Sequence, residues 1–160
     1  MVGVGREQAR TLARSAGPGI LRLPEVNVAI FAFLLNFVWE FWQVPFFEGM
    51  AAAPHWDAVQ FCTGATLGDA GIALVGFWAV AAVRSRAWIL RPTSGEVIAF
   101  TAVGVAITLP LEWLATEVLR RWTYAEIMPT LPLLGTGLLP LLQWTVLPPL
   151  IVWFVRRQLT

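Results

Sequence analysis

Apolar residues run along this chain in four long stretches, about 26–47, 58–83, 96–119 and 138–155, separated by short segments where arginine, proline, glycine and acidic residues collect. Each stretch meets or nearly meets the roughly 20 residues needed to cross a bilayer. In lipid the backbone has to satisfy its own N–H and C=O groups, so each stretch is predicted to be a helix. The expected fold class is all-α, an integral membrane bundle of four transmembrane helices forming one domain over 24–160. Residues 1–23 are polar and arginine-rich and read as a loosely ordered or surface-lying tail. Pro45, Pro110, Pro140, Pro148 and Pro149 are expected to start or kink helices. The apolar piece 131–139 is too short to span, so the segment 129–139 is expected to be interfacial or re-entrant.

Composition supports the membrane reading. Hydrophobic residues make up 58% and charged residues 13%, against about 25% charged in soluble domains, and a domain this small could not bury so much apolar surface in water. Net charge is +1, which gives no field toward nucleic acid. All eleven basic residues are arginine, so Schiff-base lysine chemistry is excluded. Cys62 is alone and His55 is the single histidine, too few for a customary zinc site, and no cofactor motif is present. The basic start, the apolar run and Ala51–Ala53 imitate a signal peptide, but Pro54 after the cut and Glu40 and Gln43 within the run argue against cleavage.

Arginine placement predicts orientation. Arg6, Arg10, Arg14, Arg22, Arg84, Arg86, Arg91, Arg156 and Arg157 fall on one side; Arg120 and Arg121 fall on the other. Both termini are then cytoplasmic, in a bacterial cytoplasmic membrane, and 48–57 and 120–137 are the outer loops. Trp39-Glu40 against Glu112-Trp113, and Thr63-Gly64 against Thr136-Gly137, form a weak internal repeat consistent with two hairpins.

An acid at helix centre costs roughly 2.5–3.5 kcal/mol on insertion scales, so intramembrane acids usually face the bundle interior and mark function. Glu40, Asp69 and Glu112 are the candidates for acid–base chemistry. At about 1.5 Å rise per residue, Glu40 and Glu112 lie about 10 Å below the outer surface, Gln143 and Trp144 about 8 Å, and Asp69 about 16 Å. Four helices thus send a polar group to nearly one height. Asn36, Glu40 and Gln43 share a face, as do Cys62, Thr66 and Asp69; Thr108 lies one turn before Glu112 and is expected to hydrogen-bond it. Gly64, Gly68, Gly71 and Gly76 are expected to let a neighbouring helix approach closely. With no basic residue at that depth, at least one of the three acids is expected to carry a proton. Asn36, Gln43, Thr66, Thr108, Trp113, Tyr124, Gln143 and Trp144 are the expected ligand-binding set. Glu117 and Glu126 are expected to be solvated or paired with Arg120 and Arg121.

Leu111-Glu112-Trp113, then Arg121-Trp122-Thr123-Tyr124, then the Pro129–Leu139 piece and Gln143-Trp144 resemble the membrane hydratases and small lycopene-cyclase subunits of carotenoid biosynthesis. Trp113 stands where the cyclases carry a second acid. The four-helix bundle with buried acids also resembles the emopamil-binding-protein type of sterol isomerase, and the whole chain looks like small polytopic bacterial membrane proteins. The resemblance implies a hydrophobic isoprenoid-like or lipid ligand, protonated at a double bond or ring oxygen by Glu112 or Glu40. Partners would be membrane lipids and that small molecule, with room for a homodimer. An accessory subunit of a larger pigment or electron-transfer complex is the alternative, and a proton-coupled transporter the third.

Overall fold

The computed structural model describes residues 19–132 and 135–160, so most of the 1–23 tail lies outside the described residues. Four helices are long and apolar enough to cross a membrane, and among the described residues there is no β-strand. Helix α1 (Pro24–Gln43) opens with proline at its first position and Glu25 in its first turn. Proline is tolerated there because that N–H has no helical partner, and the acid faces the positive end of the helix dipole. Pro45 lies in the tight 3-10 turn Val44–Phe46 that ends the helix. Helix α2 (His55–Val83) follows Pro54. Helix α3 (Ser94–Trp113) starts at a capping box in which Thr93 and Glu96 exchange hydrogen bonds, and Arg84 clamps Glu96 at 2.9 Å. Helix α4 (Leu138–Leu159) runs four residues past its predicted end and contains Pro148 and Pro149.

The helices pack in ring order, α1 on α2, α2 on α3, α3 on α4 and α4 back on α1. The two ends of the bundle differ. At the end carrying residue 19 and the C-terminus, an apolar core includes Val28, Phe77, Val80, Trp88, Phe100, Ile151 and Val155. A 3-10 turn (Arg86–Leu90) closes that end, with the Trp88 indole donating to the Phe77 carbonyl at 3.3 Å and Arg86 paired to Glu25. At the opposite end the two loops pair. Glu48 N–H donates to the Thr123 carbonyl at 2.9 Å and Ala125 N–H to the Phe46 carbonyl at 3.0 Å. Phe47, Met128 and Leu139 form a small core beneath them.

The segment 129–139 folds back on itself. Leu131 N–H bonds the Thr136 carbonyl, Gly135 N–H bonds the Leu131 carbonyl, and Leu138 N–H bonds the Pro129 carbonyl. Gly135 supplies the positive φ of 65° that this turn needs. Among its described residues no helix precedes Leu138.

Pro110 lies inside α3, which continues as a π turn, Leu114–Val118. Proline removes the N–H that would bond the Ala106 carbonyl. The widened turn then closes with Leu119 N–H on the Leu114 carbonyl at 2.8 Å, and such turns cluster at functional sites.

Glycine placement corrects one expectation. Only Gly76 seats a neighbour closely on α2: a Cβ there would stand 3.0 Å from the Phe100 ring. Around Gly64, Gly68 and Gly71 a Cβ would meet nothing within 4 Å. Helix spacing shows which residues share a face; it does not show how near the next helix comes. The tightest approach is on α3, where a Cβ on Gly104 would fall 2.0 Å from the Trp144 ring. Gly104→Ala is therefore expected to lower stability by about 1–3 kcal/mol or more through overpacking. Gly71→Ala should change it little. Unfolding in a denaturing detergent checks both, and a Gly104→Ala protein as stable as its parent would contradict this packing.

Candidate functional site

The buried face of α1 is polar where it nears the loop end: Asn36, Glu40 and Gln43 turn inward while Leu34, Val38 and Trp42 face out. This reverses the pattern of a soluble helix, as expected when the surroundings are lipid. Gln143 on α4 is the meeting point. Its Nε2 lies 2.7 Å from Asn36 Oδ1, 2.9 Å from Asp69 Oδ2 and 3.2 Å from Glu40 Oε1. Gln43 Nε2 donates to the same Glu40 oxygen at 2.8 Å, and the Trp39 indole donates to Gln43 Oε1 at 3.1 Å. Asn36 spends its own amide on the Ala32 carbonyl. An amide nitrogen carries two protons, so Gln143 serves three acceptors with two donors. Asp69 and Glu40 both offer a carboxylate oxygen to this one amide, and a proton on either carboxyl would balance the count.

Glu112 stands apart from this network. Its Oε2 accepts the Tyr124 hydroxyl at 2.6 Å. Tyr124 is held by the bridge of its backbone to Phe47 and by Gly137, where a Cβ would come within 3.1 Å of the ring. Burial, the neighbouring Glu112 charge and the hydrogen bond to it push the Tyr124 phenol well above its ordinary value, so it is a durable donor.

Both groups face one cavity of about 290 Å³. Glu40, Asp69, Glu112 and Gln143 supply its polar end; Phe61, Ile72, Leu111 and Leu114 are among its apolar walls. Three buried polar atoms, on residues that line the cavity but with almost no accessible surface of their own, have no hydrogen-bond partner: Thr108 Oγ1, Trp122 Nε1 and Trp144 Nε1. The two indoles face Glu112 and Asp69 respectively without well-formed hydrogen bonds.

Of the residues singled out from sequence, Glu40, Asp69, Glu112, Gln43, Thr108, Gln143 and Trp144 line this cavity. Asn36 lies behind it on Gln143, and Tyr124 behind it on Glu112. Two expected ligand-binding residues do not reach it. Trp113 is 52% exposed on the outer surface of α3, because the helical turn carries it away from Glu112. Thr66 is buried but spends its hydroxyl on the Cys62 carbonyl of its own helix. The expected Thr108–Glu112 hydrogen bond is also absent; Glu117 and Glu126 are exposed, in line with the solvated alternative expected for them. Arg121 and Gly68 line the cavity and were not singled out as site residues. Arg121 read as an orientation signal and Gly68 as a packing residue; nothing in their spacing points inward.

Two measurements test this geometry. Tyr124 is the single tyrosine of the chain, so tyrosinate absorbance reports it alone. Ionisation is expected well above pH about 10, the ordinary phenol value. Glu112→Gln should bring it down, since it removes the carboxylate charge that opposes phenolate formation and leaves at most a neutral carbonyl to accept from the hydroxyl. The folded state keeps the proton longer than the unfolded state, so this contribution to stability is full below about pH 10 and is lost as pH rises toward the folded value. Ordinary titration in the parent would contradict the Tyr124–Glu112 bond. Gln143→Leu is expected to cost about 1–3 kcal/mol by stranding buried acceptors. Adding Asp69→Asn, which brings its own N–H donors, should recover part of that; no recovery would mean that Gln143 acts by packing alone.

Comparison with protein-family models, curated proteins and solved structures finds no match for this chain, so its function rests on this geometry.

Proposed function

We propose that this chain binds one end of a hydrophobic, isoprenoid-like or other lipid molecule in the outer half of a bacterial cytoplasmic membrane, and that its carboxyls carry acid–base chemistry on that molecule. The observation carrying the reading is the 290 Å³ cavity, which brings Glu40, Asp69 and Glu112 together among apolar walls. Its size is close to the lower bound of about 300 Å³ for small-molecule sites. The nine-to-two arginine asymmetry supports cytoplasmic termini and so sets the cavity toward the outer leaflet.

The two acid groupings suit different halves of a proton transfer. Glu112, bonded to a phenol that stays protonated, is fixed in position beside the apolar wall. Glu40 and Asp69 sit around one amide, and either can carry a proton. A proton given to a double bond or ring oxygen from one grouping, and one taken from a neighbouring carbon or water by the other, is general acid–base catalysis in a site that excludes bulk water.

Mass spectrometry of the protein extracted in mild detergent tests the reading. A defined small molecule at near-stoichiometric amount is expected, and Glu40→Gln with Glu112→Gln should change its identity or its retention. Only bulk membrane lipids in their native proportions, together with a stoichiometric larger protein, would overturn it in favour of an accessory subunit.

A further inference from the structure

The cavity carries charge of both signs, and the two are placed differently. Glu40, Asp69 and Glu112 enter it from within α1, α2 and α3. Arg121 is the one basic residue on its lining among the described residues; it comes from the loop beyond α3 and is exposed, so it stands at the loop-side rim. The local fold brings it there. After the π turn the chain reverses at Arg120, whose φ of 47° is the left-handed conformation that glycine usually supplies at such helix ends. Arg121 N–H then closes on the Ala115 carbonyl at 2.9 Å, folding the chain back over the end of the helix. The guanidinium carbon lies 5.9 Å from the centre of the Trp122 ring, within range of cation–π attraction. Trp122 in turn meets Phe47 and Phe61 edge to face, with ring centres 6.5 Å and 5.8 Å away. The cation is thus carried on a fixed platform that itself lines the cavity.

Unmet polar demand separates the two ends. Each acid already has a donor from the protein: Gln43 and Gln143 for Glu40, Gln143 for Asp69, and Tyr124 for Glu112. Arginine carries five N–H donors and no acceptor, and no carboxylate of the described residues lies within ion-pair reach of Arg121. What the lining lacks is a partner for that guanidinium. An ammonium would be repelled by it, and an alcohol would offer only a neutral oxygen. A phosphate or carboxylate group matches the planar fork with two parallel charge-assisted hydrogen bonds. Behind the rim the walls are apolar, Phe61, Ile72, Leu111 and Leu114 among them, and the acids beyond would oppose a second anionic group. The molecule so defined has one oxyanion and an apolar body.

Resting on the ligand-binding reading above, we infer that Arg121 is the head-group residue of the site: the occupant is an anionic amphiphile, with its oxyanion on Arg121 at the loop-side rim and its apolar body along the walls toward Glu112, Glu40 and Asp69. This orientation puts carbon, not the head group, beside the acids. The experiment uses the full chain in a neutral sugar detergent, with octyl phosphate, octanol and octylamine as probes and native mass spectrometry as the readout. At about 30 Å³ for a water-sized group, 290 Å³ holds roughly ten such groups, enough for probes of this size. Octyl phosphate is expected to bind about tenfold or more tightly than the other two. Arg121→Gln should remove that preference and leave octanol binding unchanged. Arg120→Asn removes the same charge one residue away, off the cavity lining, with a residue that tolerates the left-handed backbone, and should keep the preference. Gly68→Trp, which puts a side chain into open space on the lining, should weaken octyl phosphate binding about tenfold or more. Equal loss in Arg120→Asn and Arg121→Gln would mean diffuse surface charge, and full binding by Gly68→Trp would put the probe outside the cavity; either overturns the inference. Displacement of octyl phosphate by millimolar inorganic phosphate also overturns it, since Arg121 would then be a site for free anions. No preference for octyl phosphate over octanol or octylamine removes the oxyanion while the ligand site stands. Failure of the wild-type chain to hold any of the three defeats the ligand-binding reading itself.

Discussion

The Gln143 side-chain amide joins α1, α2 and α4 through hydrogen bonds to Asn36, Glu40 and Asp69. In water each of these groups could turn outward and be solvated. In hydrocarbon a polar group turned outward finds no partner, so the only low-energy arrangement is the one in which they meet. The amide thereby fixes the rotation of three helices about their axes. The fourth, α3, takes no hydrogen bond from Gln143. It is located by other contacts: Gly76 against Phe100 and Arg84 against Glu96 near the termini, Gly104 against Trp144, and Glu112 against Tyr124 toward the loops. That difference is why the cavity lies where it does: the helix outside the network is the one whose loop-side end can stand away from its neighbour.

Energetics divide along the same line. Hydrogen bonds between membrane helices average only about 0.6 kcal/mol, so the network contributes more to specifying the arrangement than to holding it together. Cohesion comes from close packing at the end near the termini, where Phe77, Phe100, Ile151 and Val155 are wholly buried. In lipid, close packing of this kind is a main source of helix association, since apolar burial has no water to escape from. A bundle fixed at one end and polar at the other can leave a void without losing its fold.

The four spans were legible in the sequence because length and hydropathy decide them. The polar layer was legible for a related reason: a carboxyl or amide inside a span demands an inward explanation. Two expectations failed for lack of neighbours rather than lack of pattern. Gly64, Gly68 and Gly71 have the spacing of a packing face, yet glycine permits an empty gap as readily as a close approach, and only the path of α3 after Pro110 decides between them. Thr108 sits one turn from Glu112, but the nearer claim on that carboxylate comes from Tyr124, twelve residues on and across a loop whose course no periodicity describes. Trp113 was judged by its adjacency to Glu112, and adjacent helical residues point about 100° apart.

The cavity connects stability to occupancy. Glu40, Asp69 and Glu112 reach it from three helices that only the folded state brings together, and whatever binds the folded state alone stabilises it. The tie from Tyr124 to Glu112 extends this coupling to the loops, because the residue that orients the acid is held by the backbone pairing of residues 46–48 with residues 123–125. Filling the site and ordering the cap above it are in this way parts of one equilibrium.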